Sequence, residues 1–334
     1  MVSLPSKVWE NTESYHLEVL RNPWYRAVAR LQNSINELTM DYWRARGGQT
    51  LHLPVTTGSI SSPMGLGSDS KPVSVDLMGA PTYLADSMQF MLEFGCRLTG
   101  TDTYYVMPSF RGEDHDATHL CQFFHSEAEI VGGLDDMLET VESYLRHLAA
   151  GLVERDADII RDCGGSIEKL AKLAGAGAFR RVTFAEAADV LNGTGVEDHG
   201  GWRTLTREGE QLLMDKLGEF LWVSHWDHLA VPFYQAFGDP EGRTALNADL
   251  LFGMGEVVGA GERHVTADQV QQALDLHEVG AESYAWYLQM RDQSPLRTSG
   301  FGLGIERFLM WVLDHKDIRD FQLLPRRNGH NIVP

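Results

Sequence analysis

The stretch Ser299-Gly300-Phe301-Gly302-Leu303-Gly304-Ile305-Glu306-Arg307-Phe308 constrains the fold more than any other part of the chain. Glycine occupies every second position. A strand sends alternate side chains to opposite faces, so this one has a bare face against which another group can lie flat. The apolar run Phe308-Leu309-Met310-Trp311-Val312-Leu313 that follows has helical length, which puts Arg307 near a strand-to-helix junction. A guanidinium there offers a rigid donor fork suited to phosphate or carboxylate. Taken alone, the stretch is equally well a packing strand followed by a core helix with a surface arginine.

The rest of the chain narrows the choice. Its 334 residues are 43% apolar, enough for one large domain or two average ones. The formal charge of −19 repels polyanions and disfavours general electrostatic binding of nucleic acid, although a local basic patch is compatible with it. Cys96, Cys121 and Cys163 form no CxxC pair and no disulfide framework, which points to a reducing compartment. No run approaches the roughly 20 apolar residues that cross a membrane, and no apolar leader opens the chain. A soluble, cytoplasmic protein is expected.

Along the chain, Asn22-Pro23 opens a helix over Trp24–Arg46 that stops at Gly47-Gly48. Ser59 to Pro72, rich in Gly, Ser and Pro, reads as a mobile loop of the kind that forms lids. A strand is expected at Val73–Leu77, a buried helix over Thr82–Leu98, and a hairpin from Tyr104–Met107 to Cys121–Glu129 with charged residues on alternate positions. A long amphipathic helix starts at Leu134. Residues 163–245 are irregular, with short helices at Phe184–Leu191 and Leu205–Phe220 and strands at Trp222–Ser224 and Phe233–Gln235. Leu250–Phe252 and Glu256–Gly259 form a strand pair or one bulged strand, and Ala267–Met290 a helix. The alternation favours an α+β fold with a mostly antiparallel sheet.

Three arginines, Arg111, Arg263 and Arg307, lie at strand or junction positions among glycines and carboxylates. Asp249 and Glu256 are a pair of carboxylates that could hold Mg²⁺. Cations that spread phosphate charge, with a metal bridging phosphate oxygens, are what phosphoryl or nucleotidyl chemistry needs. Surface ion pairs would explain any one of these residues alone. A zinc site from His115, His119, Cys121 and His125 is disfavoured, because the last three spread over about 20 Å of strand at about 3.3 Å per residue. No Walker or Rossmann loop and no G-x-S-x-G elbow is present.

In this order the pieces resemble the catalytic core of class II aminoacyl-tRNA synthetases, in the subgroup for aspartate, asparagine and lysine. Phe110-Arg111-Gly112-Glu113, His119-Leu120 and Gln122-Phe123 look like motif 2, and Gly300 to Phe308 looks like motif 3. Gly255-Glu256-Val257-Val258-Gly259-Ala260-Gly261-Glu262-Arg263 looks like the amino-acid-site strand, and the helix before Pro54 is similar to motif 1. The nearest branches are asparaginyl-tRNA synthetase and its paralogue, the archaeal-type asparagine synthetase.

The resemblance implies a class II-type antiparallel sheet flanked by helices, a single catalytic domain over residues 1–334 with 163–245 looser and insertion-like, and a homodimer. It implies ATP and Mg²⁺ as cofactors. ATP would meet Arg111, Glu113, His119, Phe123, Glu256 and Arg307, with Arg111 at the α-phosphate and Phe123 on adenine. Asp249 and Glu256 would hold the metal. Glu127 would take an α-amino group and Arg263 a carboxylate of an aspartate-like amino acid, with His125 and Arg297 as further substrate contacts.

Only about twenty residues precede the first motif, so the family's anticodon-binding module is not expected. That and the acidic charge favour an AMP-forming ligase like asparagine synthetase, which adenylates the aspartate side chain for attack by ammonia or a small amine, with tRNA disfavoured as a partner. The alternatives are aminoacylation of tRNA or another carrier, and an inactive amino-acid-binding paralogue. Departures from the family pattern include Gly79-Ala80-Pro81 where a serine-x-glutamine segment is expected, and Thr118 where a loop arginine is expected.

Overall fold

The computed structural model describes the chain except residues 1, 3, 6, 12, 63–70 and 331–334. Most of the expected lid over Ser59–Pro72 therefore lies outside the described residues. At its centre is an eight-stranded sheet. In spatial order the strands are Gln49–Thr50, Thr103–Phe110, Gln122–Val131, Thr298–Gly304, Gly255–Glu262, Asn247–Phe252, Leu221–Ser224 and Arg180–Thr183. The interior pairs are antiparallel and the two edge pairs parallel. The fold is α+β, with a mainly antiparallel sheet flanked by helices.

Period-two alternation decides which face is core. Ala128 and Ile130, Phe301 and Leu303, Val258 and Ala260, and Ala248 and Leu250 all point to one side and are buried. The long helices Pro23–Arg46 and Leu134–Asp162 cover that side with Leu31, Ile35, Leu38, Val141, Tyr144 and Leu148. Each such side chain stabilises the packing by roughly 1.5–3 kcal/mol on burial. The first of these helices begins where the Asn22 side chain accepts the Trp24 N–H at 2.9 Å, with Pro23 in the first turn. It ends at Gly47, where φ is +77°.

Several expected elements are revised. Thr82–Leu98 is not one helix. Ala80–Leu84 is a strand paired antiparallel to Val73–Leu77 through a turn at Met78 and Gly79, both at positive φ, and the helix is Gln89–Thr99. Ala267–Met290 is broken. The Ala267–Leu276 helix ends at His277, Glu278 turns at φ +57°, and a second helix runs over Ala285–Gln293. Phe233–Gln235 makes only an isolated bridge, from Gln235 to Arg263.

The irregular 163–245 region joins the sheet. It supplies the last two strands at one end of the sheet, Leu221–Ser224 and the edge strand Arg180–Thr183, and packs Phe184, Leu213, Leu221, Val223 and Trp226 into a second apolar cluster with Leu251. Its Arg207–Leu217 helix lies over the turn between Phe252 and Gly255. Among the described residues, no helix is long and apolar enough to cross a membrane.

Candidate active site

The sheet face opposite the core forms a cleft, and strand register assembles its floor. One rung runs Asp249, Gly259, Gly302, Glu127, Tyr105, and the next runs Asn247, Gly261, Gly300, Glu129, Thr103. Glycine fills the middle of both rungs, flanked by Asp249 and Glu127 in the first and by Asn247 and Glu129 in the second.

Two cavities meet on this floor. The outer one, about 330 Å³, is lined by Arg111, Glu113, His119, Phe123, Glu256 and Arg307 among others. The inner one, about 200 Å³, is lined by residues that include Ser87, Gln89, Glu127, Gln235, Asp249 and Arg263. Arg111, His125, Glu256 and Gly302 border both. The two cavities thus adjoin at Arg111.

In the outer cavity Arg111 lies over the Phe123 ring, with its Cζ 5.4 Å from the ring centroid. Its Nε is buried with no hydrogen-bond partner among the described residues, so a donor waits there for an acceptor. Glu113 accepts the Lys71 N–H at 2.7 Å, and His119 is held by Asp116 at 3.1 Å. Glu306, buried beneath, accepts the Phe124 N–H at 3.0 Å and fixes the strand that carries Phe123. Burial pushes the Glu306 carboxyl up to about 7.

Arg307 Nη1 donates to the Glu256 carbonyl at 2.9 Å. The Asp249 and Glu256 carboxylates converge over Gly259, where a Cβ would stand 3.7 Å from Asp249 Oδ1 and 3.2 Å from Glu256 Oε1. Burial first, then the charges of Glu256 and Glu210, raise Asp249 well above the usual carboxylate range. Glu256 also lies 3.9 Å from Arg307 Nη1, and two carboxylates crowded over a glycine fit Mg²⁺.

In the inner cavity, burial alone would raise Glu127. Hydrogen bonds from His125, Ser87 and Tyr105 outweigh it and hold its carboxyl below the usual range. His125 Nδ1 lies 3.0 Å from Glu127 Oε1 and 2.9 Å from Ser109 Oγ, and Ser87 Oγ donates to Glu127 Oε2 at 2.5 Å. Arg263 is buried. Its Nε and Nη2 donate to Glu129 at 3.1 Å each, and its Nη1 donates to Gln235 Oε1 at 3.1 Å. These contacts use three of its five N–H groups.

The group that lies against two of these glycines belongs to the protein itself. A Cβ on Gly300 would fall 1.9 Å from Glu129 Oε2 and 2.3 Å from Arg263 Nη2, and one on Gly261 would fall 1.9 Å from Gln235 Oε1. These two make room for the protein's own buried ion pair rather than for a nucleotide. Gly302 and Gly304, by contrast, border the outer cavity.

Arg297 is not in the site. Its side chain is 61% exposed and pairs with Glu262 at 2.6 Å on the opposite side of the sheet, beside Gly133. Glu262 and Arg263 are neighbours on a strand and so point to opposite faces, and Arg297 follows Glu262. The serine-x-glutamine segment is also displaced from its expected place. Pro81 sits on the exposed hairpin, whereas Ser87-Met88-Gln89 keeps that spacing and lines the inner cavity. The zinc-capable residues do not converge. Cys121 and His115 both contact Asn328, and His125 contacts Ser109.

Sequence reading missed Glu129, Gln235, Tyr105 and Ser87. Glu129 was legible, since Phe123, His125, Glu127 and Glu129 share one face by alternation. Gln235 sits in irregular backbone, where no periodicity points to it.

A family model described as tRNA synthetases class II (D, K and N) matches residues 10–328. The chain belongs to that family. It is 28% identical over 333 residues to an asparagine–tRNA ligase from Syntrophobacter fumaroxidans, an alignment covering 91% of this chain and 70% of the relative. It is 25% identical over 311 residues to the asparagine–tRNA ligase of Thermoplasma acidophilum, covering 92% and 70%. Among solved structures, asparaginyl-tRNA synthetase from Pyrococcus horikoshii complexed with asparaginyl-adenylate superposes with a TM-score of 0.86 at 23% identity, covering 99% of this chain and 76% of that one.

Membership in this synthetase family makes the chain a ligase of the AMP-forming kind. The same relatives overturn two expectations, a ligase that uses ammonia or a small amine and tRNA as a disfavoured partner, and they agree with the alternative of tRNA aminoacylation. Each of them is a tRNA ligase. The acidic total charge misled because net charge averages over the whole surface, whereas a macromolecular partner meets only one face of it.

Proposed function

We propose that this protein activates asparagine as an adenylate and transfers it to tRNA. One observation carries the choice of amino acid, that Arg263 lines the inner cavity while paired with the buried Glu129. Arg263 keeps two N–H groups unused in these contacts, next to the Glu129 carboxylate. A side-chain carboxamide satisfies both, since its oxygen accepts from Arg263 and its NH₂ donates to Glu129. A side-chain carboxylate would instead set like charges together in a buried site. Glu127, kept ionised by its three donors, suits the α-ammonium.

This pose directs the α-carboxylate to the junction of the cavities at Arg111. ATP would lie in the outer cavity with adenine on Phe123 and its phosphates between Arg111 and Arg307, near His119 and Glu113. An α-carboxylate oxygen attacks the α-phosphorus and pyrophosphate leaves. A ribose hydroxyl of tRNA then attacks the carbonyl carbon, and AMP leaves. Arg111 balances the charge that builds on the α-phosphate, and positioning supplies most of the acceleration. Asp249 and Glu256 would hold Mg²⁺, which when bound neutralises phosphate charge.

The test is asparagine- and aspartate-dependent ATP–pyrophosphate exchange, followed by acylation of tRNA. Exchange with asparagine and a charged tRNA product are expected. Exchange that requires aspartate, or an adenylate that no tRNA discharges, would defeat the reading.

A further inference from the structure

The outer cavity continues past Arg307 into a cleft of about 200 Å³ lined by His119, Arg207, Glu210, Met254, Glu256 and Arg307. His119, Glu256 and Arg307 border both spaces, so the cleft is the outward end of the cavity assigned above to ATP. Arg207 comes from the 163–245 region, to which sequence reading gave no role. It is the first residue of the Arg207–Leu217 helix and is exposed. Its Nη2 donates to Thr118 Oγ1 at 2.9 Å, which ties it to the loop that carries His119.

Helix energetics do not account for this arginine. A cation in the first turn opposes the helix dipole, whereas Glu208 and Glu210 in the same turn agree with it. Among the described residues, no carboxylate pairs with Arg207 at salt-bridge distance. Its guanidinium therefore has donors beyond the Thr118 contact, in a cleft that Arg307 and His119 also line. The loop itself offers only the uncharged Thr118 at this point.

Resting on the adenylation reading, we infer that Arg207 is a phosphate-binding residue, which closes over the terminal phosphates of ATP from the inserted region while Arg111 serves the α-phosphate. A nucleoside triphosphate reaches this cleft and a monophosphate does not. Arg207 thus selects for the β- and γ-phosphates, and its contact with Thr118 carries the loop along.

Calorimetric titration of the full chain with ATP and with AMP, in wild type, Arg207→Ala, Arg207→Lys and Thr118→Val, tests this without depending on turnover. In Arg207→Ala, ATP affinity is expected to fall about tenfold, the loss of one hydrogen bond to a charged group, with AMP affinity within twofold of wild type. Arg207→Lys recovers part of the loss, and Thr118→Val keeps ATP affinity within threefold. Unchanged ATP affinity in Arg207→Ala overturns the assignment. So does an equal loss for AMP, which would mean that the residue only props up the loop. Intact nucleotide binding without asparagine-dependent exchange would instead defeat the asparagine reading and leave Arg207 standing. A wild-type chain that binds neither nucleotide sinks both.

Discussion

Arg263 and Glu129 meet over Gly300, with Arg263 Nη2 3.1 Å from Glu129 Oε2 and both side chains buried. The pair stands on strands that are not adjacent. Gly300 lies between them on the Thr298–Gly304 strand, and only a residue without a side chain lets them touch.

Gly300→Ala would therefore force the pair apart. Overpacking of this kind costs about 1–3 kcal/mol, and here the strain falls on the amino-acid pocket. Asparagine-dependent pyrophosphate exchange is expected to drop at least about tenfold, since each 1.4 kcal/mol is a factor of ten. ATP affinity, read at the outer cavity, should hold. Wild-type exchange in this variant would show that the pair is not part of the site.

Glu129→Gln tests the choice between carboxamide and carboxylate. It leaves Arg263 a buried cation without its counter-charge, and breaking a buried pair typically costs about 3–5 kcal/mol. A lower melting temperature is expected, together with a shift of the asparagine-to-aspartate exchange ratio toward aspartate by about tenfold or more. The melting temperature and both exchange rates, taken on one preparation, check it. An unchanged ratio would refute the proposed carboxamide contact.

Phe123→Ala removes the platform under Arg111. Stacking of a base on an aromatic ring is worth about 1–3 kcal/mol, so the KM for ATP should rise roughly tenfold while the KM for asparagine stays near wild type. Equal changes in both would place Phe123 elsewhere than under the base.

Arg297→Ala is the contrasting case. Its exposed guanidinium pairs with the buried Glu262 behind the sheet, away from both cavities. Exchange kinetics with asparagine and with ATP should match wild type within error. A rise in the KM for asparagine would return Arg297 to the pocket.

Glu306 carries a pH signature. Burial raises its carboxyl from the ordinary 4.5 to about 7, so the folded state binds the proton more tightly than the unfolded chain. Its contribution is then most favourable below the unfolded value, and stability is lost as pH rises from there through about 7. Glu306→Gln keeps an oxygen for the Phe124 N–H but cannot ionise. Melting temperatures across this window should fall less steeply with rising pH in the variant than in wild type. Parallel curves would contradict the raised value.

Much of the cleft is legible in the sequence, and the reason is local. Alternation in Gln122–Val131 and Thr298–Gly304 sorts Phe123, His125 and Glu127 to the same face as the glycines, whatever the strands pair with. The same logic failed at Thr82–Leu98, where a strand-turn-strand hairpin is set by positive φ at Met78 and Gly79 rather than by apolar spacing. It failed again over Ala267–Met290, where Glu278 breaks an otherwise helical pattern.

By itself, then, the sequence determined the α+β strand faces, the family, and the residues that border the outer cavity, because those follow from spacing along single strands. Only the tertiary structure decided what lies over Gly300. It placed Glu129 and Gln235 on Arg263 from positions 134 and 28 residues away, turned Arg297 to the far side of the sheet, and brought Arg207 against Thr118 across 89 residues. Contacts at such separations depend on strand order and register across the whole sheet, which no local period encodes.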